Sequence, residues 1–140
     1  EGGSSLAVLL ADIDATREQL LASGNAQLSA IGAALARGAG ALAEARDWLL
    51  AHYASQPAQA AAGAVAFLKL TGVVAGGWMM ARSARAAGRH MASGSTDSFY
   101  PAKMASAEFF ATNILPQAAG LARVVVGGGA SALAIPEADL

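Results

Sequence analysis

Histidine, carboxylate, cysteine and arginine are the side chains that most often carry chemistry, and their placement in this chain argues against a catalytic centre. There is no Cys, which removes a thiolate nucleophile, a disulfide and a sulfur-ligated metal. His52 and His90 are far apart in sequence, and neither has a metal ligand or triad partner at a recognisable spacing. Both fall near expected helix ends, where surface or capping roles suit them. Asp12, Asp14, Glu18, Glu44, Asp47 and Glu108 fit solvated helix faces better than a converging pair for general acid–base work. GxGxxG, a Walker loop and HExxH are all absent.

Three patterns remain. Arg82, Arg85 and Arg89 recur at spacings of three and four, on one face of a helix's last turns. Cations there complement the helix dipole; the sharper reading is a phosphate-binding stripe for a nucleotide or coenzyme A, though no Gly-rich loop accompanies it. Gly72 and Gly76 make a GxxxG pair, with Gly77 beside them and Trp78 following. Such a pair lets two helix backbones approach closely, either within the fold or against another domain or subunit. Phe99, Tyr100, Phe109 and Phe110 suit core anchors rather than a base-stacking platform. The net charge of -1 and pI of about 6.1 supply none of the basic surplus that nucleic acid attracts.

The elements that must position these residues are helical. Ala makes up roughly a quarter of the chain, hydrophobic residues reach 55% and charged residues only 14%. Ala forms helices readily but buries little area per residue, so close helix approach must supply part of the packing. The spacing predicts a first helix over about Ser5 to Leu21, with Leu6, Leu9, Leu10, Ile13, Leu20 and Leu21 on one side and Ser23-Gly24-Asn25 closing it. A second spans about Ala26 to Ala54 through Leu28, Ile31, Leu35, Leu42 and Leu49, with Arg37, Glu44 and Arg46 on the wet side; Gln56-Pro57 ends it. A third spans about Pro57 to His90 and is apolar nearly all round from Ala58 to Ala81, so more than one side of it must be covered.

The fourth helix starts at Asp97 or Ser98, with Pro101 in its opening turn and a stripe of Met104, Ala107, Phe110, Ile114, Ala118, Leu121 and Val125. Pro116 predicts a kink or break near Thr112 to Leu115. Gly127-Gly128-Gly129 weakens or ends the helix, leaving Ala130 to Leu140 as a tail. Nothing alternates at period two. The expected fold is all-α: residues 1–140 as a single domain, an antiparallel four-helix bundle with a proline kink in the last helix.

Gly63 to Ala81 is long enough for a membrane span, but Lys69 would sit near its centre at a cost of about 2.5 to 3.5 kcal/mol. Aromatic belts and flanking basic clusters are missing, so a buried central helix is expected and no membrane span. The chain begins Glu1-Gly2-Gly3 without Met, and no charged-then-apolar leader follows. A fragment or a processed chain is the expectation.

Two stretches carry a family resemblance. One is Ala66-Phe67-Leu68-Lys69-Leu70-Thr71-Gly72-Val73-Val74-Ala75-Gly76-Gly77-Trp78-Met79-Met80-Ala81. The other is Asp97-Ser98-Phe99-Tyr100-Pro101-Ala102-Lys103-Met104-Ala105-Ser106-Ala107-Glu108-Phe109-Phe110-Ala111, followed by Ile114-Leu115-Pro116. Their paired patterns, LxGxxxGGW and FYxAKxAxAxFF…LP, resemble the extra C-terminal helical domain of a large-subunit branch of the acyl-CoA dehydrogenases, the methylthiopropanoyl-CoA dehydrogenase-like enzymes. The resemblance covers most of the chain; Ser98 and Pro101 depart from the pattern at the helix start.

The resemblance implies a parent enzyme that binds FAD and oxidises an acyl-CoA to the enoyl-CoA, with a carboxylate removing the α-proton and the flavin taking a hydride from the β-carbon. It places those parts in upstream domains, so it assigns no catalytic, cofactor-binding or metal residue to this chain. The implied partners are the upstream catalytic domains of the same polypeptide, the acyl-CoA substrate of the parent and further copies in a homo-oligomer; the implied compartment is the cytoplasm. The candidate interface residues are Lys69, Gly72, Gly76, Gly77, Trp78, Tyr100, Lys103 and Phe110. Two other readings stand beside this one: a free-standing helical interaction or oligomerisation protein using the face around Gly72, Gly76 and Trp78, and a membrane-associated helical hairpin.

Overall fold

In the computed structural model, which describes residues 2–135, four helical rods run up, down, up and down. The rods are α1 (Ser4–Leu21), α2 (Ala26–His52), α4 (Ala64–Ala92) and a final rod made of α5 (Phe99–Phe109), a π-helical turn (Phe110–Ile114) and α6 (Gln117–Ala132); the short α3 (Pro57–Ala62) precedes α4. No strand occurs among the described residues. This is the expected all-α antiparallel bundle.

α2 and α4 form the central pair. α1 lies against both on one side and touches neither α5 nor α6, which close the other side. The core is built from Ile13 and Leu20 of α1, Leu28, Ile31, Leu35 and Leu42 of α2, Leu70, Val74, Ala81 and Ala84 of α4, and Met104, Leu115, Ala118 and Val125 of the final rod. Burying a Leu or Ile is worth about 1.5–3 kcal/mol, an Ala much less. Glycines compensate by letting whole side chains sit on backbone. A Cβ added at Gly38 would come within 3.0 Å of Leu115, and one at Gly77 within 2.7 Å. Leu115 is therefore clasped between α2 and α4 at two positions where any side chain would push it out.

The boundaries follow local chemistry. Gly24, at φ +69°, ends the first connection in a left-handed conformation open to glycine. The Asn25 side chain then caps α2 by accepting from the Leu28 N–H at 3.0 Å. At the start of α5, the Asp97 carboxylate accepts from the Phe99 N–H at 2.9 Å.

Three details differ from the sequence reading. The helix expected over Pro57 to His90 is divided at Gly63, whose backbone lies against α6: an added Cβ there would meet the Val125 Cα at 3.3 Å. The triple glycine does not end the last helix, which continues to Ala132, because Gly129 is buried where the backbone of Gln59 in α3 crosses α6.

The third difference is at Pro116. Its missing N–H leaves the Thr112 carbonyl without its α-helical donor. The chain answers by widening into the π-turn, closed by the Leu115 N–H donating to the Phe110 carbonyl at 3.0 Å. The Asn113 side-chain amide donates to the Phe109 carbonyl at 3.0 Å, and the Thr112 hydroxyl donates to the Glu108 carbonyl at 2.9 Å. The kink expected near Thr112 to Leu115 is thus a π-turn. The buried stripe of this rod runs Met104, Ala107, Ala111, Leu115, Ala118, Ala122, Val125, whereas Phe110, Ile114 and Leu121, expected on it, are only half-buried.

Candidate interaction surface

The titratable side chains do not converge. The His52 ring stacks on Trp48 with centroids 4.7 Å apart, and its Nδ1 lies 2.8 Å from the Trp48 carbonyl. His90 stacks on Tyr100 at 4.5 Å. Asp14 accepts from Arg17 at 2.6 Å, and Glu108 accepts from the Gln27 amide at 2.5 Å. Arg17 is held charged beyond its usual range, first by the hydrogen bond it donates to Asp14, so it offers no proton-transfer chemistry. Among the described residues no three His, Asp or Glu side chains gather as metal ligands.

The arginine triplet divides. The Arg82 guanidinium lies 5.1 Å from the centroid of the Trp78 ring, and Arg85 donates to the side-chain amide oxygen of Gln19 in α1. Arg89 stays exposed. Arg85 and Arg89 share a cleft of about 310 Å³ with Gln19, Ser23 and Asn25, while Arg82 stands apart over Trp78, so the three do not form one stripe.

The candidate interface residues separate into two groups. Gly76, Gly77, Trp78 and Phe110 meet neighbours within the chain. The Phe110 ring covers Gly76, where an added Cβ would lie 3.1 Å from Cζ, and Leu115 covers Gly77. The half-buried Trp78 donates its indole N–H to the Thr16 hydroxyl at 2.8 Å, tying α4 to α1. The GxxxG glycines of α4 therefore have different neighbours: Gly76 is filled, and a Cβ at Gly72 would have nothing within 4 Å.

Lys69 and Gly72 are exposed on the outer side of α4, opposite its contact with α2. Tyr100 and Lys103 line a cleft of about 200 Å³ between α4 and α5, together with Ser83, Ala86, His90 and Phe99. The Lys103 ammonium lies 5.3 Å from the centroid of the exposed Phe99 ring.

Three large apolar residues that the sequence reading did not single out share that outer side with Gly72. Val65 is 65% exposed, Leu68 73% and Met79 53%. With Gly72 and the half-buried Ala75 they step 65, 68, 72, 75, 79, a three–four repeat that places all five along one line of the helix. The repeat is visible in the sequence, but the all-round apolar character of the segment hides which of its lines faces outward. Such a line, continuous with an aromatic cleft, is what an interaction surface offers; isolated exposed apolar residues are not.

The chain has counterparts among known proteins. Residues 9–136 match the family described as acetyl-CoA dehydrogenase C-terminal like. The chain is also 39% identical over 113 residues to the 3-methylmercaptopropionyl-CoA dehydrogenase of Ruegeria pomeroyi, a match that covers 81% of this chain and 19% of that protein. It thus spans about a fifth of that relative's length.

Proposed function

This chain belongs to the acetyl-CoA dehydrogenase C-terminal-like family, and from that premise we propose that it is the accessory helical domain of an FAD-dependent enzyme that oxidises an acyl-CoA to the enoyl-CoA. The observation that carries the proposal is the match over residues 9–136 together with the 39% identity to a thioether acyl-CoA dehydrogenase. The side chains agree with a supporting role: His52 and His90 stack on aromatic rings, Asp97 caps a helix, and Arg85 bridges to α1, so these groups serve packing and capping.

FAD does not fit the residues present. The best-formed surface clefts among the described residues enclose about 200 to 340 Å³. That is at or below the lower end for ligand sites, ~300–1,000 Å³, and FAD is a dinucleotide. The cleft lined by Gln19, Ser23, Asn25, Arg85 and Arg89 is polar but, at about 310 Å³, small for a dinucleotide. On this reading the flavin, the carboxylate base and the acyl-CoA belong to other parts of the polypeptide, and this domain packs on that catalytic body or at a subunit interface of a cytoplasmic homo-oligomer.

The test is to express the complete reading frame that contains this segment and purify its product. The expected protein is yellow, and an acyl-CoA bleaches its flavin absorbance. A colourless product that leaves acyl-CoA unchanged would overturn the proposal.

A further inference from the structure

Helix α4 carries Lys69, Arg82, Arg85 and Arg89, and the chain has no carboxylate between Asp47 and Asp97. The ion pairs of the described residues involve Arg17 and Arg46, and among those residues none of the four α4 cations meets a carboxylate. Between Lys69 and Arg82 lies the exposed line of Val65, Leu68, Gly72 and Met79, and beyond it the Phe99–Lys103 cleft. The face is apolar along its axis and cationic at its margins.

We propose that this face is the docking surface for the rest of the same polypeptide, which meets it with an apolar helix face flanked by carboxylates. The inference rests on the accessory-domain reading above and names the surface through which the domain attaches. Three observations fix the occupant. The line repeats at the three–four spacing by which one helix seats another, and the open Gly72 at its middle is where a partner backbone can come closest. Among the described residues no carboxylate pairs with these cations (Arg82 lies over Trp78, Arg85 turns to Gln19, and Lys69 and Arg89 stay exposed), so an acid-bearing partner supplies charge complementarity. Most of the relative's length, all but 19%, lies outside the match. A partner on the same chain is held at high effective concentration.

A second copy fits worse. Two α4 faces packed about Gly72 would bring cations toward cations on a helix with no acid to separate them. A bilayer fits worse too, because a flat surface does not use the notch at Gly72.

Because this chain has no native thiol, Leu68→Cys places one at the centre of the face. The experiment labels that variant of the complete gene product with a maleimide and reads the extent of labelling by mass spectrometry of the peptide holding residue 68. We expect labelling at least about ten-fold slower in the folded enzyme than in the same protein unfolded in urea. Adding Lys69→Glu and Arg82→Glu should restore much of the rate. Labelling as fast folded as unfolded, in an enzyme that is yellow and bleached by acyl-CoA, overturns this inference and leaves the accessory-domain reading intact. A colourless product instead removes the reading on which the inference rests. Protection that disappears on dilution would assign the face to a second copy, and protection only with vesicles of phosphatidylserine and phosphatidylcholine would assign it to a bilayer; either overturns the proposal.

Discussion

The indole N–H of Trp78 donates to the hydroxyl of Thr16 at 2.8 Å, joining the neighbouring helices α4 and α1. Thr16 is buried, and the same hydroxyl donates to the Asp12 carbonyl at 3.0 Å, so it is both anchored and used. Thr16→Val keeps the shape and removes the acceptor. It should cost about 1–2 kcal/mol, because the half-buried indole donor loses its partner. Thr16→Ser should cost less. Urea unfolding followed by circular dichroism, with Trp78→Phe completing a double-mutant cycle, should give a coupling of about 0.5–1.5 kcal/mol; a coupling of zero would mean the contact contributes nothing.

Two glycines of α4 should respond to alanine with opposite sign. At Gly72 the added methyl meets open space, and helix propensity alone predicts a gain of up to about 1 kcal/mol. At Gly77 the methyl would lie 2.7 Å from a Leu115 methyl and 2.9 Å from its Cγ. Leu115 is buried and cannot swing away, so Gly77→Ala should destabilise by about 1–3 kcal/mol despite the propensity gain. Equal midpoints for the two variants in urea would contradict this account.

Gly129 and Gly127 make a similar contrast in α6. A Cβ at Gly129 would lie 2.8 Å from the Gln59 carbonyl oxygen and 3.0 Å from its Cα, both main-chain atoms that move only if α3 moves. Gly129→Ala should therefore cost about 2 kcal/mol or more and raise the amide exchange rates of residues 58–62 selectively. Gly127→Ala, with nothing within 4 Å, should be neutral or stabilising. If exchange in α3 were unchanged by Gly129→Ala, the crossing would not depend on that glycine.

Pro116 normally costs a helix interior about 3 kcal/mol. Here the π-turn has already removed the clash, and side chains of Thr112 and Asn113 meet the nearby carbonyls. Pro116→Ala should accordingly gain less than about 1 kcal/mol, since the turn is also held by buried Ala111 and Leu115. A gain near the full interior penalty, measured by thermal unfolding, would show that proline alone maintains the turn.

The bundle and its four rods were legible because Leu and Ile recur at helical spacing between clear punctuation at Ser23-Gly24-Asn25, Gln56-Pro57 and Ser93 to Ser98. The family was legible from the two stretches around Gly72–Trp78 and Tyr100–Phe110, and the match over residues 9–136 agrees with it. Other features were hidden for physical reasons. Gly63, Gly127 and Gly129 look alike in sequence, and only tertiary crossings distinguish a break, an open position and a buried one. Lys69 and Gly72 share the exposed line, yet Val65, Leu68 and Met79 went unmarked because an apolar segment gives no internal sign of which line faces outward. The expected and observed stripes of the final rod share Met104, Ala107, Ala118 and Val125. Between them steps of three or four permit either neighbour, and the structure buries the small Ala111 and Ala122, with Leu115, where Phe110, Leu121 and Ile114 were expected.

The π-turn also bears on how this chain should be aligned with its relatives. A π-turn holds one residue more than the α-helical turn it replaces. A relative with an ordinary helical residue in place of Pro116 has no need of the wider turn and can be one position shorter there. The gap then belongs at the exposed Thr112 or Asn113; placed beyond α6, it would pair the buried positions of α6 with more exposed neighbours and make a packing surface look like a divergent one.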